Sequence, residues 1–119
     1  MDGRSFKELI VWQKSFLLAR EVYQLTKHLP KDEQYGLTSQ LRRASVSIPS
    51  NIAEGKQRKT RNDFLQFLHI ADGSCAELET QLLLVKDIYP TLDVREALGI
   101  LNEVQRMLGA MMSRVSDSR

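Results

Sequence analysis

Residues 36–55 read GLTSQLRRASVSIPSNIAEG, and the fold of the chain follows from how this stretch is built. Its apolar residues recur at three- and four-residue spacing, which is typical of one face of a helix. They are Leu37, Leu41, Ala44, Ile48 and Ile52. Between them stand mostly small residues, which let neighbouring backbones come close: Ser39, Ser45, Ser47, Ser50 and Ala53. The stretch therefore predicts a closely packed helix.

A line of polar side chains follows the face away from the apolar residues. Arg43, Ser47, Ser50 and Glu54 stand at positions i, i+4, i+7 and i+11, so a basic and an acidic group bracket two hydroxyls. This order favours a structural role, in polar contacts or an ion pair, for all four residues. The pattern supplies no catalytic chemistry.

Pro49 lies inside the same stretch. A proline there removes the amide that would bond to the carbonyl of Ser45 and clashes with that carbonyl. Because the apolar spacing keeps its phase from Ile48 to Ile52, we predict one helix that is kinked at Pro49. The alternative is a break, after which Asn51 and Glu54 cap a short following helix.

The flanking segments predict three more amphipathic helices. With the central one at 34–55, they span residues 5–29, 60–89 and 93–115. Their capping pairs are Ser5 with Glu8, Thr60 with Asp63 and Asp93 with Glu96, and Pro30 and Pro90 end the first and third helices. Short links and the lack of a strand signal predict an all-α, up-down-up-down antiparallel four-helix bundle, with residues 1–119 as a single domain.

Two of these helices carry more apolar surface than one core can cover. In the first helix the two stripes are Leu9, Trp12, Phe16, Ala19, Tyr23 and Val11, Leu18, Val22, Leu25, Leu29. In the third, a second line consists of Gln66, Ile70, Gly73, Glu77, Leu84 and Ile88. The surplus faces indicate self-association, because a monomer would leave them exposed.

Glu77 stands out on the second line of the third helix. An ionised glutamate is costly to bury without a partner, so we predict an ion pair with Arg43, within the chain or across a subunit contact. The alternative is that Glu77 is exposed between two apolar patches. No second acid converges with it in the sequence, so a catalytic carboxylate is disfavoured.

The net charge of +2 on 119 residues hides an uneven distribution. Residues 41–61 hold six basic groups and one acidic group, whereas the rest of the chain holds 11 basic and 14 acidic groups. Concentrated positive charge is a footprint for a polyanion, and we predict nucleic-acid binding through Arg42, Lys56, Arg58, Lys59 and Arg61. The alternative is an ordinary solvated face, and no aromatic residue is interleaved for base stacking.

Other function classes find little support in the sequence. The GKQRKT stretch lacks the first glycine and the Ser or Thr of a phosphate loop, and His28 and His69 stand in no metal-ligand spacing. The single cysteine, Cys75, lies on the core stripe of the third helix. We expect no cofactor, metal or enzyme activity. Since no signal peptide or membrane-length apolar run is present, we expect a cytoplasmic protein without membrane contact.

Three motifs give the chain a family resemblance: SIPSNIAEG at 47–55, FLHIADGSCAELET at 67–80 and EVQRML at 103–108. With them it resembles the bacterial four-helix-bundle proteins first noticed as open reading frames in intervening sequences of 23S ribosomal RNA genes. The resemblance implies a homo-oligomer, typically a pentameric ring, without enzyme activity. The chain is also similar to accessory proteins of diversity-generating retroelements, which bind a reverse transcriptase and nucleic acid through basic surfaces.

Two hypotheses for function follow. The first is a non-enzymatic homo-oligomer, pentameric by resemblance, that binds nucleic acid, RNA in preference to DNA, through the basic surface. The second is a protein-interaction scaffold that docks a helix of another protein, with the positive charge serving only to steer the encounter.

Overall fold

Four α-helices make up most of the chain in a computed structural model, which describes residues 5–117. They are α1 (Ile10–Thr26), α2 (Leu37–Lys56), α3 (Arg61–Ile88) and α4 (Arg95–Asp117), with single 3-10 turns at Phe6–Glu8 and Lys31–Glu33. No strand occurs among the described residues. The predicted all-α class is confirmed.

The helices pack as a bundle in which each contacts two others. Helices α1 and α3 each pack against both α2 and α4, whereas the backbones of the two diagonal pairs stay apart within residues 5–117. The bundle measures 47 × 21 × 20 Å. Since Gln40 contacts Gln81 and Ser47 contacts Ser74, α2 and α3 run in opposite directions. The up-down-up-down bundle predicted from the sequence is therefore confirmed.

Buried apolar side chains from all four helices form one core. From α1 it takes Val11, Leu18, Val22 and Leu25, which belong to one of the two predicted stripes. The other stripe stays largely outside, with Phe16 49% and Tyr23 40% exposed. One apolar face of α1 thus remains uncovered.

Helix α2 continues through Pro49 without interruption, so the alternative of a break is excluded. The side-chain amide of Asn51 donates to the carbonyl and to Oγ of Ser47, at 2.8 and 3.0 Å, as suits a residue within a helix. A capping role for Asn51 does not occur. The kink at Pro49 stays a prediction.

The start of the first helix differs from the prediction. Ser5 caps only the 3-10 turn, where its Oγ accepts from the amide of Lys7, and Leu9 is extended with φ −73° and ψ 127°. This break lets Leu9 enter the core and brings the ring of Phe6 edge-on to Trp12, with centroids 5.3 Å apart. Packing outweighs helical continuity here, and α1 begins at Ile10.

Other predicted helix ends agree more closely. Thr60 Oγ1 accepts from the amide of Asp63 at 3.1 Å and caps α3, as predicted. Asp93 Oδ1 accepts from the amide of Arg95 at 3.0 Å and not from that of the predicted partner Glu96, and α4 begins at Arg95. The first helix ends at Thr26, before the predicted Leu29, because the chain turns there and still buries the Leu29 side chain.

Candidate nucleic-acid interface

Four cations surround the tight link between α2 and α3, and we call Lys56, Arg58, Lys59 and Arg61 the link cluster. Helix α2 ends at Lys56 and α3 begins at Arg61, so the four lie within six consecutive residues at one end of the bundle. All but the half-buried Lys56 are exposed. The structure therefore brings together four of the five predicted binding residues.

Two members of the link cluster have contacts that explain them structurally. Arg58 donates to Glu54 Oε2 at 2.9 Å, and its guanidinium lies 4.7 Å from the ring centre of Phe67. Lys56 closes the last turn of α2, where the helix dipole favours a cation. The Phe67 contact was not predictable from sequence spacing, because it depends on how α3 folds back along α2.

No contact within residues 5–117 gives Lys59 or Arg61 a structural role. Both are exposed, and neither side chain makes a hydrogen bond or an ion pair with any residue in 5–117. They flank Thr60, the N-cap of α3, so they lie at the positive end of a helix dipole. Cations are disfavoured there and anions bind there, since the first amides point outward. The arrangement suits a phosphate group.

Arg42 is not part of this surface. It precedes Lys56 by 14 positions, or roughly 21 Å along the helix at 1.5 Å per residue. Its Nε donates to Thr26 Oγ1 at 2.9 Å, and its guanidinium lies 4.4 Å from the ring centre of Tyr23. The structure thus ties Arg42 to α1.

The predicted polar line of α2 does not act as one unit. Ser47 turns to α3, where its Oγ lies 2.8 Å from Ser74 Oγ, and Glu54 pairs with Arg58. Ser50 is exposed. Arg43 and Glu77 are both exposed, and neither forms an ion pair within the described residues. An Arg43–Glu77 pair therefore does not form inside one chain.

A groove of about 670 Å³ lies between α1 and α2, and we call it the α1–α2 groove. Its walls include Trp12, Phe16 and Tyr23 from α1 and Pro49 from α2, while Arg20 and Lys27 contribute cations. The second apolar stripe of the first helix, which the sequence analysis identified as surplus surface, forms one wall of this groove. The second wall was missed because these residues, more than twenty positions apart in the sequence, meet only in the fold.

Reactive groups are few on the described surface. Cys75 is fully buried, and burial, followed by the charges of Asp72 and Glu79, raises the pKa of its thiol to about 12. Residues 5–117 contain no group of three or more His, Cys, Asp or Glu side chains arranged to hold a metal ion. Among the described helices, none is long and apolar enough to cross a bilayer.

Fold and surface together define a class: a small four-helix bundle with a cationic hairpin link and an uncovered apolar groove. The profile of the 23S rRNA-intervening sequence protein family matches residues 7–110, and the chain belongs to that family. It is similar to the crystal structure of a protein of unknown function from the S23 ribosomal protein family of Bacteroides thetaiotaomicron. The two share 29% identity over 87% of this chain and 98% of the other, with a TM-score of 0.74. No curated protein matches the chain.

Proposed function

We propose that the chain is a non-enzymatic, self-associating bundle that binds nucleic acid, RNA in preference to DNA, through the link cluster. The position of Lys59 and Arg61 carries the proposal. Cations at a helix N-terminus cost stability, and these two make no compensating contact within residues 5–117. A phosphate backbone would supply the missing partner.

Self-association makes a small patch effective. One link cluster offers only a few phosphate contacts, whereas several copies held in one assembly bind the same strand with an increased effective concentration. The family resemblance implies a homopentamer, and the retroelement accessory proteins that the chain resembles bind nucleic acid through basic surfaces. The family's name refers to the position of such genes within rRNA genes, so RNA is the first ligand to test against DNA.

The test reverses the two cations that lack an intrachain partner. We expect Lys59→Glu with Arg61→Glu to weaken binding of a mixed-sequence RNA hairpin at least tenfold at low salt. Each neutralised phosphate contributes roughly 0.7–0.9 to the slope of log affinity against log salt, so the slope should fall by roughly 1.5 per chain. Fluorescence anisotropy over a salt series measures both quantities, and DNA of the same sequence tests the preference.

The matched control is Lys31→Glu with Lys86→Glu, two exposed cations at the opposite end of the bundle, near the contact of Glu33 with Tyr89. This control changes net charge equally and should leave the salt slope nearly unchanged. Equal losses in both double variants would mean that only overall charge attracts the RNA. Unchanged affinity in the link variant would remove the proposal.

The second candidate is a scaffold that docks a helix of another protein, and the α1–α2 groove is the observation that favours it. Its aromatic walls are the kind of surface into which an amphipathic helix binds. A stoichiometric partner protein that stays bound after nuclease treatment would favour this function over RNA binding.

A further inference from the structure

Two of the uncovered apolar faces among residues 5–117 lie on different sides of the bundle. One is the α1–α2 groove. The other, which we call the α3 stripe, consists of Ile70, Gly73, Glu77, Leu84 and Ile88, all of them exposed. Its three large apolar side chains are 44–52% exposed, a surface that a stable monomer has no reason to maintain.

The two faces carry opposite charges. Arg20 and Lys27 line the groove, and no acidic side chain does. Arg43 stands two turns before the groove residue Ser50 on the same face of α2, so it extends the cationic side of the groove. The α3 stripe carries one charge, the carboxylate of Glu77, which has no ion-pair partner within residues 5–117. Apolar surface and charge are therefore complementary between the faces.

Gly73 adds a steric argument. It lies in the middle of α3, where glycine weakens a helix relative to alanine. A Cβ at this position would meet no atom within 4 Å, so packing inside the chain does not require the glycine. Its lack of a side chain gives the backbone of a second helix room to approach Glu77 and Ile70 closely.

We propose that the α3 stripe of one copy docks into the α1–α2 groove of a second copy, with Glu77 facing Arg20, Lys27 and Arg43. Because the contact joins two different faces, each copy offers one groove and one stripe, and repetition produces a closed ring or an open chain. This inference rests on the self-association in the proposed function and assigns its contact surfaces.

The test blocks each face separately. Gly73→Lys places a charged side chain on the stripe, and Phe16→Glu removes an aromatic wall of the groove and repels Glu77. The matched controls are Gly99→Lys, at another helical glycine with open space around it, and Leu17→Glu, at an exposed apolar neighbour outside the groove lining. Light scattering on nuclease-treated protein in high salt measures mass independently of RNA.

We expect both controls to keep the wild-type oligomer mass, and each blocked variant to fall to the mass of one chain. An equimolar mixture of the two blocked variants should then form a one-to-one dimer, since the intact groove of one accepts the intact stripe of the other. The dimer fraction should rise with the concentration of the mixture, and its formation also shows that both variants are folded.

Three results would overturn the docking. They are a mixture that stays monomeric, a blocked variant that keeps the wild-type mass, and a blocked variant that forms dimers by itself, which indicates a symmetric contact. If the wild type is oligomeric in these cases, only the assigned surfaces are wrong. A monomeric wild type would remove self-association as well, while RNA binding through the link cluster is judged separately by anisotropy.

Discussion

Gly55 sets how closely α2 and α3 approach at the end of the bundle that carries the link cluster. It is buried in the last turn of α2, and a Cβ there would lie 2.7 Å from Cβ of Phe67 and 3.0 Å from the ring of Phe64. Atoms next to the backbone cannot move away as a flexible side-chain end can. The absence of a side chain at this residue therefore positions Phe67, which in turn lies beneath Arg58.

We predict that Gly55→Ala lowers the free energy of unfolding by about 1–3 kcal/mol, the usual cost of overpacking. The matched substitution Gly99→Ala has open space around its Cβ and should raise stability by roughly 0.5–1 kcal/mol through helix propensity. Urea unfolding followed by circular dichroism measures both. An unchanged or higher stability of Gly55→Ala would mean that the helices separate without cost.

At the scale of elements, the opposite end of the bundle is joined by a three-residue contact. The hydroxyl of Tyr89, which follows α3, donates to Glu33 Oε2, and Glu33 Oε1 accepts from the amide of Leu37 at the start of α2, at 3.2 Å. The Tyr89 bond and then the Leu37 amide lower the pKa of Glu33, and the same carboxylate raises the pKa of Tyr89 to about 12. One carboxylate thus ties both helix ends.

This contact predicts a specific loss of stability at alkaline pH. Because the pKa of Tyr89 is raised from 10.0 to about 12 on folding, its contribution is present below pH 10 and is lost as the pH rises toward 12. We expect the difference in melting temperature between wild type and Tyr89→Phe to shrink across this window. A difference that stays constant from pH 8 to 12 would contradict the contact.

The four helices and most of their ends were predictable, because apolar periodicity and capping residues are local features of the sequence. Thr60 caps α3 as its spacing indicated, and the apolar period of α2 kept its phase through Pro49. Asp93 binds the amide of Arg95 and not that of the predicted Glu96, because α4 begins two residues later than predicted. The start of α1 was not predictable, because Leu9 leaves the helix to fill a core position that exists only after folding.

At the scale of the whole molecule, one candidate surface follows from local sequence, whereas the other depends on contacts between residues that are distant in the sequence. The link cluster is contiguous in sequence, so composition alone located it. Arg42 was grouped with it on sequence distance, yet its partners Tyr23 and Thr26 come from another helix. The α1–α2 groove has walls from two helices, and only the wall from α1 could be predicted from the sequence.

The central claim is that several copies of the bundle present their link clusters to one RNA. The most direct measurement is light scattering of the purified protein together with its 260/280 nm absorbance ratio, before and after nuclease treatment. We predict a mass that is a multiple of 13.7 kDa, near five chains, which persists after nuclease while the absorbance at 260 nm falls. A single chain of 13.7 kDa without nuclease-sensitive absorbance would contradict the claim.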